Sequence, residues 1–213
     1  MDFEKIYKEA VADKTGDMYV HLPIISKLVE DCKHVTEFGL GKAESTKVFL
    51  RHDVEIHTYE IDPLPESVKF IEQAKSAGKN ITLHINDTRA VEIEETDLLF
   101  IDSYHSYGQV KKELELHAEK VRKYIMFHDT TLYGFVGQGY KPESDYYEIG
   151  IWPAIQEFLD TSIQWQIIHH VEENNGFTIL QKKPEFNVKI VAHNLDASKK
   201  VMNPMTGEYK DEY

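Results

Sequence analysis

Apolar residues recur along this chain at two alternating spacings. Phe3, Ile6, Tyr7, Ala10 and Val11 fall at helical intervals over residues 2–12, and the polar run Asp13-Lys14-Thr15-Gly16-Asp17 breaks the pattern. A second helix is predicted from Leu22 to Asp31, with Pro23 in its first turn, where a missing N–H does no harm. Short apolar strands near 34–39, 55–60, 80–85, 97–102 and 123–128 then alternate with helices near 44–51, 64–77 and 106–122. In the helix over 106–122, Tyr107, Val110, Leu114, His117 and Val121 share one face, and lysines and glutamates take the other. Strands alternating with helices make βαβ units, hence a parallel sheet with right-handed crossovers.

The end of the chain reads differently. After a helix near Pro153–Asp160, the apolar runs 165–171 and 176–180 flank Glu172-Glu173-Asn174-Asn175, the pattern of an antiparallel hairpin. The predicted fold is α/β: a Rossmann-like, doubly wound, mostly parallel seven-stranded sheet closed by a C-terminal antiparallel hairpin. Thr131 to Ile151 is too long for an ordinary connection and carries Tyr133, Phe135, Tyr140, Tyr146 and Tyr147 among four glycines. Such a loop is either a lid over a binding site or a surface loop packing its tyrosines on its own domain. Residues 184–213 are polar and read as a mobile tail or as an arm onto a partner subunit. The remainder, 1–183, is read as one domain with its N-terminal helices at 2–31.

Composition narrows the function. The 213 residues suffice for a sizeable core, and no apolar run approaches the roughly 20 residues of a membrane span. The start, Met1-Asp2-Phe3-Glu4-Lys5, lacks the apolar core of a secretory signal, and the single cysteine, Cys32, suits a reducing cytosol and reads as a packing residue. A cytoplasmic protein without membrane contact is the expectation. Lysine and arginine number 24 against 37 acidic residues, a net charge of −13, which disfavours a nucleic-acid substrate. Small or neutral substrates fit better.

Chemistry concentrates in His34-Val35-Thr36-Glu37-Phe38-Gly39-Leu40-Gly41-Lys42-Ala43-Glu44 and in Tyr59-Glu60-Ile61-Asp62-Pro63. A strand, a glycine turn, a helix, and a second strand tipped by an acid are how a doubly wound sheet holds a nucleoside. The turn lacks the third glycine of G-x-G-x-x-G, because position 44 is Glu, and a carboxylate at the mouth of the helix repels pyrophosphate. A nicotinamide or flavin dinucleotide is therefore disfavoured.

The ordered set E-x-G-x-G, then Tyr-Glu-Ile-Asp-Pro, then Asn86-Asp87 after the third strand resembles class I S-adenosylmethionine-dependent methyltransferases. Phe100-Ile101-Asp102-Ser103-Tyr104-His105-Ser106-Tyr107 and Phe127-His128-Asp129-Thr130-Thr131 make it similar to their small-molecule branch, grouped with macrolide-sugar O-methyltransferases and cephalosporin-hydroxylase-like proteins. The resemblance runs over residues 17 to 182. It implies that Gly39 and Gly41 let the methionine portion approach, with Glu37 helping to place it. It further implies that Glu60, with Asp62 beside it, takes the ribose hydroxyls and that Asp87 takes the adenine amino group. Read from the residues alone, Asp87 is equally a cap for the next turn. The donor is a sulfonium without phosphate, so acidic surroundings are tolerable.

A hydroxyl acceptor must lose its proton before it attacks a methyl group, through a general base or a divalent cation. By the same resemblance, a D-x-x-H pair supplies a metal-binding aspartate and a histidine base, here Asp102 and His105, and paired acids at the next strand end map to His128 and Asp129. His128 departs from a carboxylate. Mg²⁺ prefers oxygen ligands, whereas a histidine in the set suits Mn²⁺ or Fe²⁺. Against this stand plainer readings: His105 as the first residue of a helix, and Asp102 and Asp129 as caps. The expectation is an O-methyltransferase using S-adenosylmethionine and a divalent cation (Mg or Mn), acting on a small-molecule or sugar hydroxyl, as a monomer or a homo-oligomer. A non-catalytic S-adenosylmethionine-binding or assembly module and a metal-dependent oxidative enzyme on the same fold are the alternatives.

Overall fold

The computed structural model describes residues 1–141 and 148–184, together with two short stretches near the C-terminus. Helices α1 (Phe3–Ala12) and α2 (Leu22–Val29) lead into β1 (His34–Phe38), α3 (Glu44–Phe49), β2 (Glu55–Glu60), α4 (Pro65–Ser76), β3 (Ile81–Ile85), β4 (Thr96–Ile101) and α5 (Tyr107–His117). There follow β5 (Val121–His128), α6 (Trp152–Thr161), β6 (Trp165–Val171) and β7 (Phe177–Lys182). The chain divides into two units at Pro184. In the second, Val201–Met202 pairs antiparallel with Tyr209–Lys210. The rest of the expected tail, and Tyr146 and Tyr147 of the aromatic loop, lie outside the described residues.

The seven strands run β3-β2-β1-β4-β5-β7-β6. The first five are parallel, and β7 inserts antiparallel between β5 and β6. This is the doubly wound sheet with a reversed terminal hairpin that the alternation predicted. Every residue of β1 and β4 is buried, as expected of central parallel strands covered on both faces. One face packs Leu22, Ile25, Val48, Phe49 and Ile71 from α2, α3 and α4; the other packs Val110, Leu114 and Ile155 from α5 and α6. Each such side chain contributes about 1.5–3 kcal/mol by leaving water. Strand order reverses between β1 and β4, so the carboxyl ends of these strands open a crevice there.

Local signals set the helix ends. Asp2 accepts from Lys5 N (3.0 Å) at the start of α1, and Ser106 accepts from Gln109 N (3.3 Å) at the start of α5. α5 stops at His117, short of the expected 122, because Ala118–Lys120 tighten into a 3₁₀ turn and Val121 already belongs to β5. Its polar face also differs from expectation: Gln109 and Glu113 are buried. No helix among the described residues is long and apolar enough to cross a membrane.

Candidate functional site

The glycine turn leaves β1 at Phe38 and folds back through left-handed residues, with φ of +89° at Gly39, +44° at Gly41 and +62° at Ala43. The space a Gly39 side chain would fill is taken by β4: an added Cβ would lie 2.0 Å from the Asp102 carbonyl oxygen. Gly39 is thus required by close strand approach, whereas the same position on Gly41 faces open space. Asp102 N donates to Phe38 O at 2.8 Å, which ties the two strand ends together.

Glu37 sits behind the turn with no exposed surface. Its carboxylate accepts from Ser45 Oγ (2.5 Å) and Thr46 Oγ1 (2.8 Å), both on α3. Burial pushes it up to about 7, against the pull of the Ser45, Thr58 and Thr46 hydroxyls. Glu37, expected to help place the methionine portion, reaches the glycine turn from its inner side. Alternation along β1 turns it toward α3, so it braces the turn from within.

Glu60, at the tip of β2, is held by backbone donors on both sides. Oε2 accepts from Leu40 N (3.1 Å) and Gly41 N (3.4 Å), and Oε1 accepts from Ile61 N (2.8 Å) and Asp62 N (3.3 Å). Asp62 is exposed and meets this arrangement through its backbone. Asp87 accepts from Arg89 in a fork, Oδ1 from Nε (3.0 Å) and Oδ2 from Nη2 (2.7 Å), and this pairing holds it below its ordinary range. Glu60, Asp87, Gly39 and Asp102 line one cleft of about 470 Å³ with Tyr59 and Gln138. A second cavity of about 600 Å³ lies between the turn, the segment after α1 and the hairpin, lined by Gly41, Lys42, Asp17, Asn174 and Asn175. Asp102 belongs to both.

Around Asp102 the ends of β4 and β5 bring four ionisable groups together. Asp102 Oδ1 lies 3.1 Å from His105 Nε2 and 3.4 Å from His128 Nδ1. Asp129 Oδ2 is 3.4 Å from His105 Nε2, and its Oδ1 is 3.4 Å from His128 Nδ1. Burial alone would raise the Asp102 carboxyl, but hydrogen bonds and charge from His105 and His128 hold it well below the carboxylate range. Burial would likewise lower the histidines, yet the two aspartates lift His105 above its ordinary value and His128 to about 9. Asp129 is raised, by burial above all. At neutral pH His128 is therefore an imidazolium held between two aspartates.

His105 is oriented from outside the cluster. Gln138 Oε1 accepts both His105 N–H (3.2 Å) and Nδ1 (3.0 Å), so Nδ1 carries hydrogen and Nε2 is the atom aimed at the aspartates. Gln138 N returns a bond to His105 O (2.9 Å), and Tyr133 stacks on the imidazole at 5.0 Å. Gln138 and Tyr133 both come from the long loop after β5. Asp129 itself holds φ +59°, a left-handed conformation costing a non-glycine residue about 1 kcal/mol or more, with Oδ1 buried and without a hydrogen bond.

Such a donor set fits a cation, and two overlapping triplets have ligand atoms close enough to share one: Asp102–His105–Asp129 and Asp17–His128–Asp129. The expected trio Asp102, His128 and Asp129 is brought together, but the geometry redistributes it and adds Asp17. Asp17 also accepts from Asn175 Nδ2 (3.2 Å), and its carbonyl lies 3.4 Å from His128 Nε2. Sequence reasoning missed Asp17 as a candidate ligand and Gln138 as the partner of His105, since each reaches the site through folding from a distant segment. Cys32 is buried, and burial pushes its thiol up to about 12, leaving it inert.

A family model described as rhamnosyl O-methyltransferase/CmcI matches residues 33–184. A search of curated protein sequences finds no match. Among solved structures, the chain is similar to 1,6-didemethyltoxoflavin-N1-methyltransferase from Burkholderia thailandensis, with bound 1,6-didemethyltoxoflavin and S-adenosylhomocysteine (SAH): 14% identity, TM-score 0.59, covering 86% of each chain. It is similar to the SAH-bound methyltransferase PaMTH1 from Podospora anserina at 17% identity and TM-score 0.55, covering 85% of this chain and 88% of that one. The N-terminal domain of EvdMO1, crystallised in the presence of SAH and D-fucose, matches at 14% identity and TM-score 0.51, covering 86% and 97%. At these identities the likeness establishes the fold.

Proposed function

The chain belongs to the rhamnosyl O-methyltransferase/CmcI family, and from that premise we propose that it binds S-adenosylmethionine at the carboxyl ends of β1, β2 and β4 and moves the methyl group to a hydroxyl of a small molecule or sugar. The observation that carries this reading is the position of Asp102. It stands where the cleft bearing Glu60 meets the cavity bearing Asp17 and Asn175, with His105 Nε2 3.1 Å away.

S-adenosylmethionine supplies, when bound, a methyl group already electrophilic on a sulfonium sulfur. Glu60, pre-aimed by four backbone N–H groups, takes the ribose hydroxyls. Gly39 and Gly41 line the path of the methionine portion, and Glu37 stiffens their turn from behind. His105 Nε2 takes the proton of the acceptor hydroxyl, and Asp102 stabilises the imidazolium so formed. The C–O bond forms as the C–S bond breaks; SAH leaves, and the proton passes from His105 to solvent. Alignment of oxygen, carbon and sulfur is the larger part of the acceleration.

Asp17, His128 and Asp129 bring ligand atoms close enough to share one ion and would hold a divalent cation such as Mg²⁺ or Mn²⁺, with Asp102 beside them 3.4 Å from His128 Nδ1. Such an ion supplies Lewis acidity toward the acceptor hydroxyl. Catalysis is assigned to residues 1–183, with 184–213 a polar tail or arm, in a cytoplasmic enzyme whose net charge of −13 suits neither nucleic acid nor an acidic membrane surface. The test is calorimetry with SAH, followed by transfer of labelled methyl from S-adenosylmethionine to a panel of sugar and small-molecule alcohols. Micromolar SAH affinity with label in an ether product is the expected result. No affinity for SAH would remove the reading.

A further inference from the structure

One wall of the cleft beside Glu60 is made by Thr88, Ser103 and Gln109, and the reaction just described leaves it unused. Behind it lies Glu113, without exposed surface, one helical turn after Gln109 on α5. All three wall residues point a donor at the same atom. Glu113 Oε1 accepts from Thr88 Oγ1 (2.5 Å), Ser103 Oγ (2.7 Å) and Gln109 Nε2 (2.7 Å), while Oε2 is buried without a partner. Gln109 Nε2 also donates to Thr88 Oγ1 at 2.9 Å.

The hydrogen inventory then settles what the wall can offer. A hydroxyl has one hydrogen and an amide nitrogen two. Thr88 and Ser103 have spent theirs on Glu113, and Gln109 has divided its pair between Glu113 and Thr88. What remains is the lone pairs of Ser103 Oγ and the Gln109 Oε1 carbonyl, which the trigonal amide turns away from Glu113. Burial raises the Glu113 carboxyl, opposed by these three hydrogen bonds. The outcome is the same in either protonation state, because a proton would occupy the bare Oε2 and leave Oε1 accepting.

We infer that Glu113 makes the side chains of this wall acceptors only, and that the wall selects the 6-amino group of adenine over a 6-oxo purine. This rests on the S-adenosylmethionine reading of the cleft. Asp87, the residue expected to receive that amino group, keeps an acceptor site on Oδ2, which takes a single bond from Arg89, and the wall acts beside it. Glu113 is a positioning residue: it orients three side chains and touches no ligand. A 6-oxo group set against lone pairs leaves buried acceptors unpaired, and polar sites of this kind discriminate strongly.

The test compares SAH with S-inosylhomocysteine, its 6-oxo counterpart, by calorimetry on the full chain. The wild type should bind SAH at least about 100-fold tighter. In Glu113→Gln the new amide presents N–H groups to the hydroxyls and frees them to donate outward, so the preference should fall at least about tenfold. Gln109→Met keeps an unbranched chain of similar length, removes the amide acceptor, and should lower the preference likewise. An equal affinity of the wild type for both ligands, or an unchanged preference in either variant, overturns the inference. A wild type that binds neither ligand overturns the cofactor reading, and the inference falls with it.

Discussion

His128 gives the sharpest link between the site and stability. It ends β5 almost fully buried, with Nδ1 3.4 Å from Asp102 Oδ1 and from Asp129 Oδ1, and the aspartates lift it to about 9 from an ordinary 6.5. The folded state therefore keeps this proton at pH values where the unfolded chain has released it. The stabilisation is fully present below pH 6.5 and is lost as pH rises through 9. A shift of this size corresponds to about 3 kcal/mol, shared with Asp102 rather than added to it. With a typical urea sensitivity of about 2 kcal/mol per molar, the unfolding midpoint should drop by about 1.5 M between pH 6.5 and pH 9. The assay is urea unfolding followed by tryptophan fluorescence, with a chelator present so that no ion competes for the aspartates. His128→Gln keeps polarity without titrating, and most of this pH slope should disappear in it. His105 is raised by the same two aspartates and keeps a pH slope of its own in the variant. Parallel pH slopes in wild type and variant would refute the reasoning.

Three further outcomes are expected. His105→Gln should lower kcat by about 10²- to 10⁴-fold while leaving SAH affinity within twofold, and unchanged turnover would remove His105 from the role of base. Dialysis against a chelator should abolish methyl transfer, with Mg²⁺ or Mn²⁺ restoring it; full activity after dialysis would reject the cation. Gly39→Ala should lose about 3 kcal/mol or more in urea denaturation, because its Cβ would meet the Asp102 carbonyl at 2.0 Å and its φ is +89°. Gly41→Ala, in open space at φ +44°, should lose about 1 kcal/mol, and equal losses at the two glycines would contradict the strand-contact argument.

Much of the fold was legible because each signal is local. The alternation of apolar strands with amphipathic helices predicted the parallel sheet, and Asn174-Asn175-Gly176 predicted the reversed hairpin, where all three residues do adopt positive φ. Asp102, His128 and Asp129 could be placed together in advance because residues at the carboxyl ends of parallel strands share one edge whatever the details of packing, whereas His105 entered through the family resemblance. Other placements depend on which face of a strand or helix meets a distant neighbour. Glu113 falls in sequence on the polar face of its helix and Glu37 in the cofactor motif, yet β1 and α5 turn both fully inward, each onto hydroxyls from other elements.

Periodicity along the chain thus determined the elements and the edge where chemistry collects, since both follow from where apolar side chains must hide. The partners were decided in three dimensions. The meeting of Asp17 with His128 spans 111 residues, and the clasp of Gln138 on His105 spans 33. No local pattern encodes those separations. They follow from how the crossovers stack the strands and from how the segment after α1 and the loop after β5 close over their ends.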